Sequence, residues 1–113
     1  MPARFAWPVM RPLKGAELEV HYVEALRDIV PIVRHHHENW NGTGYPDGLR
    51  GTGIPLGARI LSVVDYFDAL MSDRPYHKAM SPDAALGLLR QEAGKALDPR
   101  VVQTFIDKYP ALS

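Results

Sequence analysis

A run of histidines that leads directly into a glycine- and proline-rich turn constrains this sequence most. Residues 35–46 read His-His-His-Glu-Asn-Trp-Asn-Gly-Thr-Gly-Tyr-Pro. The two glycines can adopt positive φ and the proline cannot continue a helix, so the pattern predicts a helix end that places Tyr45 beside the histidines. Neutral imidazoles bind metals such as Zn and Fe. On a regular helix, adjacent histidines point about 100° apart, so they would share one metal only where the helix end is irregular. The alternative is a solvated histidine cluster.

The length and charge of the chain limit the classes of protein to which it can belong. The chain has 113 residues, with 13 basic and 13 acidic side chains and no cysteine. This length predicts one domain spanning residues 1–113. The balanced charge gives no electrostatic reason to expect DNA or RNA as a partner. No apolar run approaches the roughly 18 residues of a membrane span, and the first residues carry no signal-peptide core. The lack of cysteine fits a cytoplasmic location.

Apolar residues recur at helical spacing through most of the chain, and no segment alternates with the period of a strand. Ser81-Pro82 and Asp98-Pro99 each pair a capping side chain with a proline suited to the first helical turn. The pattern therefore predicts an all-α fold. In chain order, the predicted segments are an irregular start (1–13), helices at 15–28 and 29–40 (the second with Pro31 in its first turn), a loop at 41–56, and helices at 57–72, 82–93 and 99–108.

Two carboxylates, Asp65 and Asp68, lie in the apolar stripe of the helix predicted at residues 57–72. They are three residues apart and therefore share one face. A carboxylate is costly to bury unless it is paired or bound to a cation. Asp65 is consequently an exposed residue on the polar side, a buried partner of Arg59 or Arg74, or the oxygen ligand of a His/His/Asp metal set. In the last case Asp68 would orient a ligand imidazole or a basic residue.

Arg74 and Lys78 follow that helix in the segment Ser-Asp-Arg-Pro-Tyr-His-Lys. A guanidinium offers a fork of donors that matches phosphate oxygens, and an ammonium adds a point charge. An isolated arginine and lysine near a helix end are commonly just solvated. Beside a metal cluster and an exposed Tyr45, the pair instead predicts a site for a phosphate ester, in which metal ions activate water.

The ordered motifs of the chain resemble the HD-GYP family, a branch of the HD-domain metal-dependent phosphohydrolases. The resemblance implies an all-α helical bundle, here the C-terminal part of an HD-domain-like fold. It also implies hydrolysis of the bacterial second messenger cyclic di-GMP at a centre of two or three metals. The motifs that carry it are His36-His37-Glu38, Gly42-Thr43-Gly44-Tyr45-Pro46, Ile54-Pro55-Leu56, Ala58-Arg59-Ile60, Asp65-Tyr66-Phe67-Asp68-Ala69 and Ser72-Asp73-Arg74-Pro75-Tyr76.

The resemblance implies roles for seven residues, none of which it identifies as the catalytic group. Glu38 is expected behind the metal ligands rather than on the metal, the position that spacing already predicts for Asp68. The metal is expected to be Fe, Mn or Zn, and the substrate a cyclic dinucleotide. The remaining assignments are His36, His37 and Asp65 as metal ligands and Tyr45, Arg74 and Lys78 as contacts to substrate.

Departures from the family pattern weaken the expectation of catalysis. The chain contains no His-Asp doublet, the pair that names the superfamily. Arg11 stands where the family has a metal-binding histidine, and an always-charged guanidinium repels a metal. Asn41 replaces the usual aspartate of the turn. The chain therefore resembles an HD-GYP domain without its first helices and with one incomplete metal shell.

Three functions are compatible with these residues. The first is a degenerate domain that acts in signalling by binding a partner protein or a cyclic dinucleotide without turnover. The second is an active metal-dependent phosphodiesterase whose missing ligands come from another chain. The third is a remnant without a biochemical role. Because loss of the first helices should uncover apolar faces, we expect a homo-oligomer or a partner protein.

Overall fold

The computed structural model describes residues 15–112 and places them in four α-helices. These are α1 (Gly15–His35), α2 (Leu56–Met71), α3 (Pro82–Glu92) and α4 (Pro99–Leu112), with a 3-10 turn at Gly51–Gly53 before α2. No β-strand occurs between residues 15 and 112, which confirms the all-α prediction. The predicted irregular segment, residues 1–13, lies outside the described residues.

The first helix differs from the prediction. Residues 15–28 and 29–40 were expected to form two helices, but α1 is continuous to His35 and contains Pro31 in its interior. A proline has helical φ and removes only one hydrogen bond, here the bond to the carbonyl of Arg27, so the helix can pass through it. The chain then leaves the helix five residues earlier than predicted. His36 and His37 consequently lie in a turn, not on a helix.

Helix α2 is the centre of the fold, because it packs against each of the other three helices. Its bounds match the predicted helix 57–72 to within one residue at each end. The apolar core forms between α2, α3 and α4, and its buried members are Val63, Phe67, Ala85, Leu89, Leu97 and Val102.

Helices α3 and α4 begin at the two predicted capping signals. The Ser81 hydroxyl accepts the backbone N–H of Ala84 at 3.2 Å, and Pro82 occupies the first turn of α3. The Asp98 carboxylate accepts the backbone N–H of Arg100 at 2.8 Å at the start of α4. Each side-chain oxygen satisfies a backbone donor that has no partner within its own helix.

Helix α1 approaches α2 closely at one glycine. A Cβ atom at Gly57 would lie only 2.5 Å from Cδ1 of Ile32, so a larger residue there would force the Ile32 side chain to move. This contact holds the C-terminal half of α1 against the start of α2 and thereby places the loop after α1 beside α2. Within residues 15–112, no helix is long and apolar enough to cross a membrane.

Candidate metal centre

The loop that follows α1 is held against the connection between α3 and α4 by backbone hydrogen bonds. Trp40 donates its N–H to the carbonyl of Ala96 at 3.1 Å, and Asn41 donates to the carbonyl of Lys95 at 2.9 Å. Gly51 closes the loop by donating to the carbonyl of Trp40 at 2.9 Å. The histidine run therefore lies between α1 and a loop that is bonded to the connection between α3 and α4.

Glu38 organises this loop from inside. Its side chain is fully buried, and its carboxylate accepts the backbone N–H groups of Asp47 at 2.9 Å and Leu49 at 3.0 Å. His35 Nδ1 lies 3.2 Å from the same carboxylate. Burial by itself raises the pKa of Glu38, but the hydrogen bonds from the Asp47 backbone, His35, and the backbones of Leu49 and Gly48 together lower the pKa below its ordinary value.

The Gly-Tyr-Pro turn folds back onto the histidines. A Cβ atom on Gly44 would collide with the backbone of His37 and Asn39, so only glycine allows this approach. Tyr45 donates its N–H to the carbonyl of His37 at 3.3 Å, and the two rings stack with centroids 5.1 Å apart. The Tyr45 side chain stays exposed. The expectation that the turn places Tyr45 beside the histidines therefore agrees with the structure.

The residues predicted to bind a metal meet in one cleft of about 470 Å³. The turn after α1 supplies one wall and α2 supplies the opposite wall. The side chains proposed as metal ligands thus share the same space as Tyr45, although His36 and Asp65 are 29 residues apart in sequence. The lining residues that carry the site are His36, His37, Tyr45, Ser62, Asp65 and Tyr66.

The geometry between His36 and Asp65 suits a shared cation. His36 Nδ1 lies 2.6 Å from the carbonyl of Val33, and because a carbonyl only accepts, Nδ1 carries the proton. The other ring nitrogen, Nε2, lies 3.8 Å from Asp65 Oδ2, and this nitrogen is the one that a metal would use. Two ligands at about 2.1 Å from one tetrahedral Zn are about 3.4 Å apart, a few tenths of an ångström closer. A cation bound between these two atoms would have one ligand from the histidine turn and one from α2.

The environment of Asp65 excludes one of its three interpretations. The side chain is 55% exposed, and its partner is His36 rather than an arginine. The alternative in which Arg59 or Arg74 pairs with Asp65 is excluded, because Arg59 donates to Asp98 at 2.8 Å and Arg74 is exposed in the loop beyond α2. An exposed carboxylate can be reached by an ion from solvent, so Asp65 remains either a solvated residue or a metal ligand.

Ser62 is a residue of the site that the sequence reasoning missed. Its hydroxyl lies 2.5 Å from the carbonyl of His36 and 2.9 Å from the carbonyl of Ala58. It therefore ties the histidine turn directly to α2. The spacing signal was available, since Ser62 precedes Asp65 by three residues and shares its helix face. Nearby, burial and the negative charge of Glu92 raise the pKa of the Tyr66 phenol.

A second cluster beside the cleft also has ligand atoms that a metal could use. One donor atom from each of His35, Glu38 and Asp47 lies within 4.8 Å of the others. In this cluster, however, both Glu38 oxygens accept backbone N–H groups, and Arg34 donates to Asp47 at 3.1 Å. The contacts that stabilise the loop already use these oxygens.

Three predicted residues do not reach the cleft. Arg74 and Lys78 lie in the exposed loop after α2, where Arg74 exchanges backbone hydrogen bonds with His77. Asp68 is exposed one turn beyond Asp65 and makes no side-chain hydrogen bond within the described part of the chain. The roles predicted for these three residues remain predictions.

Comparison with known proteins places the chain in a family. The profile of the HD domain family matches residues 11–101. The chain is 52% identical over 75 residues to the cyclic di-GMP phosphodiesterase response regulator RpfG of Xanthomonas campestris, covering 66% of this chain and 20% of that protein. It is 40% identical over 97 residues to a cyclic di-GMP phosphodiesterase of Pseudomonas aeruginosa, covering 84% of this chain and 23% of that protein.

The same region is also similar to an enzyme with a different named substrate. The chain is 47% identical over 64 residues to the 3'3'-cGAMP-specific phosphodiesterase 3 of Vibrio cholerae, covering 57% of this chain and 14% of that protein. The chain thus spans between about one seventh and one quarter of the length of these relatives. Because the family profile matches residues 11–101 and these relatives are at least 40% identical to the chain where they match, this chain belongs to the HD domain family, in its HD-GYP branch.

Proposed function

We propose that this chain binds one divalent transition metal, Fe, Mn or Zn, through His36, His37 and Asp65. In this proposal the metal and Tyr45 hold a phosphate of a cyclic dinucleotide, and the domain acts in signalling by binding rather than by hydrolysis. The observation that carries the proposal is the 3.8 Å distance between His36 Nε2 and Asp65 Oδ2 across the cleft.

The ligand set fits one metal better than two or three. Two imidazoles and one carboxylate supply three ligands and leave further positions for water or a phosphate oxygen. When bound, the metal would polarise a phosphoryl oxygen and lower the pKa of a bound water. The chain's own residues orient the group: Tyr45 stands at the mouth of the cleft, stacked on His37.

The choice of ligand class follows from the relatives. Their names give cyclic di-GMP as the substrate of some and 3'3'-cGAMP as the substrate of another. All of these ligands contain two phosphodiesters, which a metal and a guanidinium recognise through the same oxygen atoms. We therefore take cyclic di-GMP as the first ligand to test, with Arg74 as the second contact to phosphate.

An alternative function is turnover, with the missing metal ligands supplied by another chain. The sequence favours binding because it carries Arg11 at a position where the family has a metal-binding histidine. A second copy of this chain also carries Arg11, so the further ligands would have to come from other residues of that copy or from a different protein.

Elemental analysis of untagged protein after loading with Fe, Mn or Zn tests the proposal. We expect one metal per chain in the wild type and much less in an Asp65→Asn variant, together with no turnover of cyclic di-GMP. Calorimetry should detect cyclic di-GMP binding that depends on the loaded metal. Two or more metals with turnover would support the alternative, and protein that binds no metal would overturn both.

A further inference from the structure

A largely buried ion pair joins two of the elements that form the cleft of the candidate metal centre. Arg59, near the start of α2, donates to the carboxylate of Asp98, the residue that follows Leu97 in the connection between α3 and α4. Asp65 lies further along α2, and Leu97 lines the same cleft as Asp65. The pair therefore sets the distance between two parts of the chain that each contribute to the cleft.

The histidine turn is bonded to the same two elements. Ser62 on α2 contacts the carbonyl of His36, and Trp40 donates its backbone N–H to the carbonyl of Ala96 in the connection. Together with the ion pair, these contacts close a ring, which we call the cleft ring. In a closed ring, loosening one contact lets all the members move relative to one another. The members are the histidine turn (residues 36–41), the first part of α2 (residues 56–65) and the connection between α3 and α4 (residues 93–98).

Stability alone does not account for an ion pair at this position. Charges are costly to remove from water, and well-packed apolar residues of similar volume are often equally stable in their place. A guanidinium and a carboxylate instead select one arrangement, because their hydrogen bonds require a fixed distance and angle. Arg59 makes two such contacts, since its Nε donates to the carbonyl of Ile54 at 2.9 Å while Nη1 donates to Asp98 at 2.8 Å. Arg59 thus fixes both the residues that precede α2 and the connection that precedes α4.

We propose that Arg59 and Asp98 are positioning residues for the candidate metal centre. In this assignment neither residue touches the metal, and both act through the cleft ring by holding Asp65 at a distance from His36 that one metal can bridge. Groups behind metal ligands affect metal affinity in this way, by fixing where the ligands point. The effect on metal affinity rests on the proposed function, whereas the contacts between the ring members can be measured without a metal.

Two variants remove the ion pair in different ways. Arg59→Lys keeps the positive charge that balances Asp98 but replaces the planar fork of donors by a single ammonium. Asp98→Ser keeps a side-chain oxygen that can cap α4 at the N–H of Arg100 but removes the charged partner of Arg59. Leu89→Ala is the control, because Leu89 is fully buried in the core and its truncation lowers stability without removing a contact of the cleft ring.

Calorimetric titration of Zn into the full chain, at a temperature where circular dichroism shows every variant folded, tests the positioning role. We expect about tenfold weaker binding in Arg59→Lys and Asp98→Ser, the lower end of the range for groups behind metal ligands, and wild-type affinity in Leu89→Ala. If Asp98→Ser does not fold, Arg59→Lys decides. Wild-type affinity in Arg59→Lys, or an equal loss in Leu89→Ala, would overturn the positioning role and leave the proposed function standing.

Amide hydrogen exchange of the metal-free protein separates failure of this role from failure of the proposed function. The amides of Trp40 and Asn41 donate to the carbonyls of Ala96 and Lys95, so their exchange reports the contact between the histidine turn and the connection. We expect faster exchange at these two amides in Arg59→Lys than in Leu89→Ala, and equal rates would overturn the positioning role. If the rates differ as expected but the wild type binds no Fe, Mn or Zn, the proposed function alone is overturned.

Discussion

Arg59 on α2 donates to the Asp98 carboxylate at 2.8 Å, although 39 residues separate them in sequence. The Asp98 side chain is 2% exposed and that of Arg59 is 16% exposed. The second oxygen of Asp98 accepts the backbone N–H of Arg100, and Arg59 Nε donates to the carbonyl of Ile54. One buried carboxylate therefore caps α4 and joins it to the central helix.

Replacement of Asp98 by alanine should destabilise the fold strongly. The variant loses the helix cap and leaves the Arg59 guanidinium partly buried without its partner, a change that costs about 3–5 kcal/mol. Urea unfolding followed by circular dichroism measures the loss. Asp83→Ala, at the exposed start of α3, is the control and should cost less than about 0.5 kcal/mol. Similar losses in both variants would show that the buried pair contributes little.

The buried carboxylate of Glu38 makes stability depend on pH. Its hydrogen bonds lower its pKa in the folded protein below the ordinary value of 4.5. Its contribution is therefore fully present above that value and is lost as the pH falls through the lower, folded-state pKa. A Glu38→Gln variant should be less stable at neutral pH, and its free energy of unfolding should fall less between pH 5 and pH 3 than that of the wild type. Parallel curves for the two proteins would contradict this.

Local signals in the sequence predicted much of this fold. Helix α2 and the caps at Ser81 and Asp98 depend on residues a few positions apart, so periodicity and capping rules identify them. The motif resemblance also predicted that His36 and Asp65 lie in the same site. In the structure these two side chains face each other across 3.8 Å.

The features that the sequence did not predict depend on contacts between distant segments. Nothing local indicates that α1 continues through Pro31, whereas the contact between Ile32 and Gly57 holds that half of the helix in place. The partner of Arg59 lies 39 residues away and could not be chosen from spacing. Glu38 likewise binds backbone groups of its own turn, which a side-chain pattern does not encode.

The hydroxyl of Ser62 should position His36 for metal binding. It contacts the His36 carbonyl from α2, the helix that carries Asp65. A Ser62→Ala variant should keep its helix content and bind the metal about tenfold more weakly, as expected for a group that supports a ligand. Ser62→Thr retains a hydroxyl and should recover most of the affinity. Equal metal affinity in the wild type and Ser62→Ala would remove this role.

Arg74 should contribute to phosphate binding even though it lies outside the cleft. Arg74 is exposed in the loop after α2, and we expect it to contact a ligand that extends from the metal. Calorimetry with cyclic di-GMP should give a loss of about 1.5–3 kcal/mol in Arg74→Ala, the range for a charge-assisted hydrogen bond. Arg90→Ala, an exposed arginine in the last turn of α3, provides the control for net charge. Equal losses in both variants would indicate a general charge effect.

Adjacent histidines should differ sharply in their effect on metal binding. His36 and His37 line the cleft with Asp65, whereas His35 contacts the buried Glu38. Elemental analysis should therefore find little metal in His36→Ala and His37→Ala and nearly one metal per chain in His35→Ala. His35→Ala should instead lower the free energy of unfolding, because it removes a hydrogen-bond partner of Glu38. If His35→Ala lost its metal while His36→Ala kept it, the metal would belong to the cluster of His35, Glu38 and Asp47.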